Sequence, residues 1–336
     1  MPRRRQTHDT IPAGLIARFG ELATSQTAAP APIDGECLDS YRVVSELARG
    51  GMSTVYLGED QVTGERVAIK ALDAYYVGQS DMVTRLLGEH ELASRTRHPA
   101  LLEVRCAGQT AEGLPYLVME YVEGESLGAV ADRRALSMTG ILAIAAQIAS
   151  ATAALHAAGV VHCDLKPDNV LVLEAPGPGG WQRIKVIDYG VARLCDEPPA
   201  TDGSVVGTPA FMPPEQWHGA PTPRSDVYAL GCILYELVTG TPVFGGSLPQ
   251  LMLGHCERLP ERPSLRCIGR FELDPALDRL IVRMLAKDPL LRPAMADVAA
   301  ELLALAPPSL ALCLQLTSRP LPQRRTAPMP VLAAAV

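Results

Sequence analysis

Apolar positions along this chain follow two rhythms. Between residues 41 and 121 they come in short runs rich in β-branched residues: 41–47, 54–59, 65–71, 101–108 and 115–121. Gly50-Gly51 and Thr63-Gly64 punctuate the first three runs, which predicts an antiparallel meander. One helical segment, 82–97, interrupts the runs and is closed by His98-Pro99. Past Gly124 the spacing lengthens. Ile141, Ala145, Ile148, Thr152 and Leu155 share one helix face, and residues 226–239 and 275–286 also read as helices. The stretch 175–180, Ala-Pro-Gly-Pro-Gly-Gly, reads as a surface loop between two strand-like runs.

This pattern predicts an α+β chain: a small antiparallel sheet with one helix first, and a mainly helical part beyond Gly124. The length of 336 residues agrees, at about 150 residues per domain. Residues 1–39 read as an extension. Ile11, Leu15, Phe19 and Leu22 could line a short amphipathic helix, and an Ala/Pro linker follows at 28–32. Residues 307–336 read as a loose Pro-rich tail carrying Arg324-Arg325.

Charge narrows the function classes. With 30 Lys+Arg against 37 Asp+Glu the net charge is -7, which argues against a nucleic-acid partner. The eight cysteines are scattered without C-x-x-C spacing, as expected of free thiols in a reducing compartment. The Arg-rich start has no apolar core behind it. No stretch reads as about 18 clean apolar residues; the nearest, 302–316, is broken by Pro307, Pro308, Ser309 and Gln315. The expectation is a cytoplasmic protein without a membrane span. Only four of the 30 basic residues are lysines, Lys70, Lys166, Lys185 and Lys287, so each is worth placing.

Four segments carry candidate chemistry. In 48–55, Gly50 and Gly51 sit between two strands. Such glycines let a backbone approach a phosphate, or simply make a hairpin turn. The flanking strands exclude a Rossmann turn, and no Walker sequence occurs. Lys70 ends the apolar strand Val67-Ala68-Ile69. It either snorkels at the surface or pairs with an acid on the next helix, Glu89 first and Glu91 second, to hold the α- and β-phosphates of ATP. The block 162–171, HCDLKPDNVL, packs Asp164, Lys166 and Asn169 into six residues. A carboxylate to accept a hydroxyl proton, an ammonium for phosphate charge and an amide oxygen for a metal are what phosphoryl transfer requires. Finally Asp188 follows an apolar strand in Ile187-Asp188-Tyr189-Gly190, a setting that suits a Mg²⁺ ligand.

In this order and spacing the segments resemble a protein kinase, close to the eukaryotic-like Ser/Thr kinases of bacteria, over about residues 41–300. GTPAFMPPEQ at 207–216 and SDVYALG at 225–231 belong to the same resemblance. It implies the bilobal kinase fold, with residues 40–121 as the N-lobe and 122–306 as the C-lobe. It implies ATP with Mg²⁺, or Mn²⁺ as an alternative, and protein Ser/Thr acceptors that include the chain itself through self-association. Asp164 is then the catalytic base and Lys166 assists at the γ-phosphate. Asn169 and Asp188 hold the metal, Lys70 pairs with Glu89, and Thr208 bridges Asp164 and Lys166. Ala48, Gly50, Gly51, Ser53, Val55 and Ala68 cover the nucleotide. Met119 is the gatekeeper, with Glu120, Tyr121 and Val122 as the adenine-binding hinge. Glu215 pairs with Arg292, and Asp226 anchors the catalytic loop. Lys185 and Lys287 receive no role and are expected to be solvated.

The pattern departs in places. Ala48 and Ser53 stand at two of the three glycine positions, which implies a stiffer loop. Cys163 replaces the arginine that normally meets a phosphate on the activation loop. The implied consequence is activity that depends little on phosphorylation at Thr201 or Ser204. Cys163 is otherwise a small buried thiol or a redox switch. Tyr189 replaces the usual Phe. His98, His162 and Trp217 read as structural. Two alternatives stay open: a pseudokinase or scaffold, and a small-molecule phosphotransferase. The presence of both peptide-docking segments, 207–216 and 225–231, speaks against the second.

Overall fold

The computed structural model describes residues 37–38, 40–76, 79–110, 113–133, 136–177, 180–189, 191–195, 206–267 and 272–317. The helix expected at 11–22, the linker at 28–32 and the Arg324-Arg325 segment lie outside them, as do Gly190, Thr201 and Ser204.

The first half is a twisted antiparallel sheet. Its strands are β1 (Cys37–Leu38), β2 (Tyr41–Arg49), β3 (Ser53–Asp60), β4 (Arg66–Leu72), β5 (Val104–Gln109) and β6 (Pro115–Glu120), in the order β1-β2-β3-β4-β6-β5. Each face carries a buried cluster. Leu38, Val43, Tyr56, Val67, Ile69, Ala71, Tyr116 and Val118 form one buried cluster. Leu72, Leu86 and Leu117 form another under the single helix α1 (Ser80–Ser94). Strand alternation, with its period of two, produces this division.

The second half is helical. It contains α2 (Leu127–Asp132), α3 (Met138–Ala157), α4 (Pro214–Trp217), α5 (Pro223–Thr239), α6 (Leu248–Glu257), α7 (Pro263–Arg266), α8 (Pro275–Met284), α9 (Met295–Leu305) and α10 (Pro308–Thr317). The short strands β7 (Gly124–Ser126), β8 (Val160–Val161), β9 (Val170–Leu173), β10 (Ile184–Val186) and β11 (Arg193–Leu194) pair as β10-β9-β7 and β11-β8. Helix α3 runs through the core, and all five residues of its expected face are buried. Helix α5 starts at a capping box on Thr222 with Pro223 in its first turn. It ends at Gly240, whose φ of 75° is the left-handed cap that glycine adopts without a Cβ clash. The halves meet where Val186 donates to Ala100 O at 2.7 Å and accepts from Leu102 N at 2.9 Å. The architecture is α+β in two lobes, as the resemblance implied.

Several expectations need correction. Helix α1 ends at Ser94, not 97. Its last turn tightens through Arg95 N to Leu92 O, and His98 then makes its own turn by accepting Ala100 N on Nδ1 and Leu101 N on its carbonyl. The Pro99 that follows disfavours helix at His98. Strand β5 starts at Val104, because the backbone of Leu101 and Leu102 is committed to the chain at His98 and Val186. Leu38 belongs to the sheet core rather than to a separate extension. Residues 308–317 form a helix rather than loose tail, with Leu310 and Leu314 buried in the C-lobe core. Finally, α3 is long and apolar enough by length and composition to cross a membrane. It is enclosed by α5, α9, α10 and strands β8 and β10, so its apolarity is accounted for by the lobe core.

Candidate active site

Strand β4 carries the first charge into the cleft. Ala68 pairs with Met119 and Lys70 with Leu117 on β6, while Val55 of β3 faces Lys70 from the other side. Lys70 Nζ donates to both carboxylate oxygens of Glu89 on α1, at 2.9 and 2.8 Å, and to Asp188 Oδ1 at 3.2 Å. Burial works against the Lys70 ammonium, but the carboxylates of Glu89 and Asp188 outweigh it and hold its pKa above the ordinary lysine value. Burial lifts the Glu89 carboxyl, and the ammonium beside it opposes that rise. Of the two candidate partners it is therefore Glu89 that reaches Lys70. Glu91 is solvent-facing and meets Arg95 one turn on.

The second cluster lies on the loop after β8. Asp164 Oδ1 accepts from Thr208 Oγ1 at 2.7 Å. Its Oδ2 accepts from Lys166 Nζ at 2.8 Å and from Asn169 Nδ2 at 3.1 Å. Lys166 Nζ also donates to Thr208 Oγ1 at 2.9 Å, closing a ring of three side chains. Asn169 Nδ2 donates to the Asp164 carbonyl as well, at 2.8 Å. Both bonds use the amide nitrogen, which leaves the amide oxygen as the free donor atom.

This loop is held from below. Asp226 on α5 accepts the backbone N–H of His162 and of Cys163, each at 2.9 Å, and His156 Nε2 lies 2.8 Å from its other side. Burial acts to raise its pKa, but hydrogen bonding and charge from His156, with help from His162, prevail and hold it below the usual Asp value. Among the described residues, Cys163 (φ 65°) and Asp188 (φ 66°) are the non-glycine positions in the left-handed region. Such backbone costs of the order of 1–3 kcal/mol unless the surroundings impose it, and here the two bonds from Asp226 do so at Cys163.

The 207–216 segment is tied to the same loop. Gln216 Nε2 donates to the Cys163 carbonyl at 2.6 Å and to the Val206 carbonyl at 2.7 Å. Gly207 has φ 126°, and a Cβ there would press on the Cys163 carbonyl at 3.0 Å and on the Gln216 amide. Arg292, with no exposed side chain, grips Glu215 in a fork at 2.6 and 3.0 Å.

One cavity of about 800 Å³ gathers the rest. Ala48, Gly50, Gly51, Ser53 and Val55 roof it. Ala68 and Met119 line it along the sheet, with Glu120, Tyr121 and Val122 at the connection between lobes. Lys70, Glu89, Asp164, Asn169 and Asp188 bring the polar groups together at its inner end. Thr208 stands just outside, behind Asp164. Ala48 fits without strain, since it is paired with Val55 in the ladder. Gly50 is the constrained position: its amide donates to Ser53 O at 2.8 Å, and a Cβ would meet that oxygen at 3.2 Å.

The donor set suits one hard cation shared with phosphate. Asn169 offers an amide oxygen and Asp188 a carboxylate into the cavity. No group of three or more His, Cys, Asp or Glu that could hold a metal occurs among the described residues. Magnesium is typically held by one or two carboxylates with phosphate oxygens and water completing the shell.

The residues expected to be structural are so placed. His98 bonds Ser150 and the Ala100 amide, His162 Nδ1 accepts Asp164 N at 3.3 Å, and Trp217 is buried. Cys163 is a buried thiol, its sulfur 3.7 Å from Val161 O.

The solvated assignment of the two remaining lysines is overturned. Lys185 on β10 donates to Glu120 at the hinge and to the Leu101 carbonyl at 3.1 Å, with an 11% exposed side chain. Glu120 Oε1 also accepts Glu103 N at 2.8 Å, so one carboxylate joins hinge, sheet and C-lobe. Lys287 is bonded to the end of α6. Together with Gln216, these are contacts that sequence spacing could not signal.

The protein kinase domain family matches residues 41–303. The chain is 36% identical over 262 residues to the serine/threonine-protein kinase Pkn1 of Myxococcus xanthus, covering 77% of this chain and 37% of that protein. It is 37% identical over 274 residues to PkaA of Streptomyces coelicolor, covering 77% and 48%. It is 36% identical over 266 residues to PknB of Mycolicibacterium smegmatis, covering 75% and 40%. The chain thus spans less than half the length of each of these relatives. The match across the whole two-lobed fold places the chain in the protein kinase domain family.

Proposed function

We propose that the chain is an active serine/threonine protein kinase, transferring the γ-phosphate of ATP to protein Ser/Thr hydroxyls, its own included. The observation that carries this reading is the closed ring of Asp164, Lys166 and Thr208. Asp164 supplies a carboxylate oxygen to accept the proton of an incoming hydroxyl. Lys166 brings an ammonium beside that oxygen, able to stabilise charge on the transferring phosphoryl group. The Thr208 hydroxyl fixes the orientation of both, so the segment that presents the acceptor is coupled to the base. Lys70, fixed by Glu89, is positioned to contact the α- and β-phosphates, and the 48–55 loop covers them. Met119, Glu120 and Val122 border the space for the adenine. Asn169 and Asp188 would hold Mg²⁺, which supplies charge neutralisation on the phosphates. Mn²⁺ meets the same donor preference.

The relatives named as serine/threonine-protein kinases support this acceptor class. A pseudokinase scaffold finds no support, because each of these charged groups is present and connected.

The test is transfer of labelled γ-phosphate from Mg-ATP to a general acceptor protein or to the chain itself. It is paired with nucleotide-dependent thermal stabilisation. Phosphoserine or phosphothreonine product supports the reading. Stabilisation by Mg-ATP without any transfer would return the scaffold reading, and a phosphorylated small molecule without protein product the phosphotransferase one.

A further inference from the structure

Lys287 lies on the loop after α8, far in sequence from the catalytic segments. Its Nζ donates to the carbonyls of Gly254 at 2.9 Å and His255 at 2.7 Å, the closing turn of α6, and lies 3.4 Å from Tyr228 Oη. It also sits over the Phe244 ring at 4.7 Å. Among the described residues no carboxylate lies within ion-pairing distance of it. A half-buried ammonium held by carbonyl dipoles, a hydroxyl and rings is costly to desolvate, and burial above all lowers its pKa to about 8. The ammonium thus reaches the C-terminal end of α6, the negative pole of that helix.

What α6 touches gives that reach a purpose. It packs against the turn at Pro209–Phe211 and against α4. His255, fully buried, has Nδ1 3.0 Å from Tyr228 Oη, and its ring is 5.1 Å from that of Phe244. The ring also faces the Ala210 backbone of the 207–216 segment. Arg292, which holds Glu215, stacks at 4.8 Å on the Tyr228 ring and donates to the Lys287 carbonyl at 3.0 Å. One cluster therefore joins α5, α6 and the loop at 287–292 to both ends of the stretch 209–217, and among the described residues Lys287 supplies the hydrogen bonds from that loop to α6. None of it borders the 800 Å³ cavity.

We infer that Lys287 is a positioning residue for the protein substrate: by clamping the end of α6 it keeps the acceptor-facing segment 207–216 seated, with no part in nucleotide binding. This inference rests on the kinase reading of the 207–216 segment. In the full chain, Lys287→Met should raise KM for a general acceptor protein about five-fold or more, with KM for ATP and the Mg-ATP thermal shift unchanged. Lys287→Arg, which retains a donor cation, should recover most of the loss. Hydrogen exchange in the apo protein provides an arm independent of turnover: Lys287→Met should deprotect residues 209–217 and 248–257 and spare the β3–β4 sheet. KM values unchanged from wild type for both substrates, alongside a lowered Tm, would overturn the inference, as would unchanged exchange at 209–217. If the wild type transfers no phosphate, the kinase reading fails while the exchange experiment still decides the clamp. Should Lys287→Met not fold, Lys287→Gln carries the same comparison.

Discussion

The buried carboxylate of Asp226 accepts the backbone N–H of Cys163 at 2.9 Å, at the residue whose φ of 65° bends the catalytic loop. The bond compensates a conformation that an unbranched side chain does not choose unaided. Asp226→Asn turns one of the two acceptor oxygens into a donor, which then faces a backbone N–H, of His162 or of Cys163. It should lower stability by about 3 kcal/mol, read as a reduced urea midpoint at constant m-value. A change under about 0.5 kcal/mol would mean that the loop holds its shape without Asp226.

Arg292 and Glu215 form a second buried attachment, with the guanidinium fully enclosed. Arg292→Ala leaves the Glu215 carboxylate without its fork and should cost about 3–5 kcal/mol. Arg292→Lys cannot reproduce both bonds and should also destabilise, by a smaller amount. Denaturation curves for the two variants test the ranking, and equal losses would remove the geometric argument.

The hinge contact between Lys185 and Glu120 is a cross-lobe pair with little solvent around it. A double-mutant cycle of Lys185→Met with Glu120→Gln should return a coupling of about 1–3 kcal/mol in unfolding free energy. A coupling near zero would place Lys185 back in solvent, where its sequence alone would put it.

His255 makes stability sensitive to acid. Burial, and then the charge of Lys287, lower its pKa from 6.5 to about 4, against the opposing pull of the Ala210 backbone. Between those values the unfolded chain binds the proton and the folded chain does not. Stability therefore rises with pH across that window and is lost as pH falls from about 6.5 to about 4, by on the order of 3 kcal/mol. Unfolding measured across this range for wild type and His255→Gln should diverge in slope. Parallel curves would show that His255 does not titrate in the window.

Much of this molecule was readable in the order of its residues. The strand rhythm of 41–121, apart from the late start of β5 at Val104, and the helix face from Ile141 to Leu155 match the structure, because apolar periodicity follows burial. Glu89 over Glu91 was readable as a preference and needed the strand–helix contact to settle it. Lys185 and Lys287 were not readable. Their partners stand 65 and 32 residues away, and nothing local distinguishes a lysine reaching carbonyls across the core from one in water. The helix at 308–317 was missed for a similar reason. Pro307 and Pro308 signal a break, yet Pro308 sits at the start of a helix, where proline's missing N–H costs nothing.

The account stands most directly on the Asp164 carboxylate. Initial rates of γ-phosphate transfer from Mg-ATP to an acceptor protein should be compared for wild type and Asp164→Asn, with the Mg-ATP thermal shift recorded for each. The account predicts a rate loss of about 10²-fold or more with the nucleotide-induced shift retained. Transfer by Asp164→Asn at the wild-type rate would contradict it.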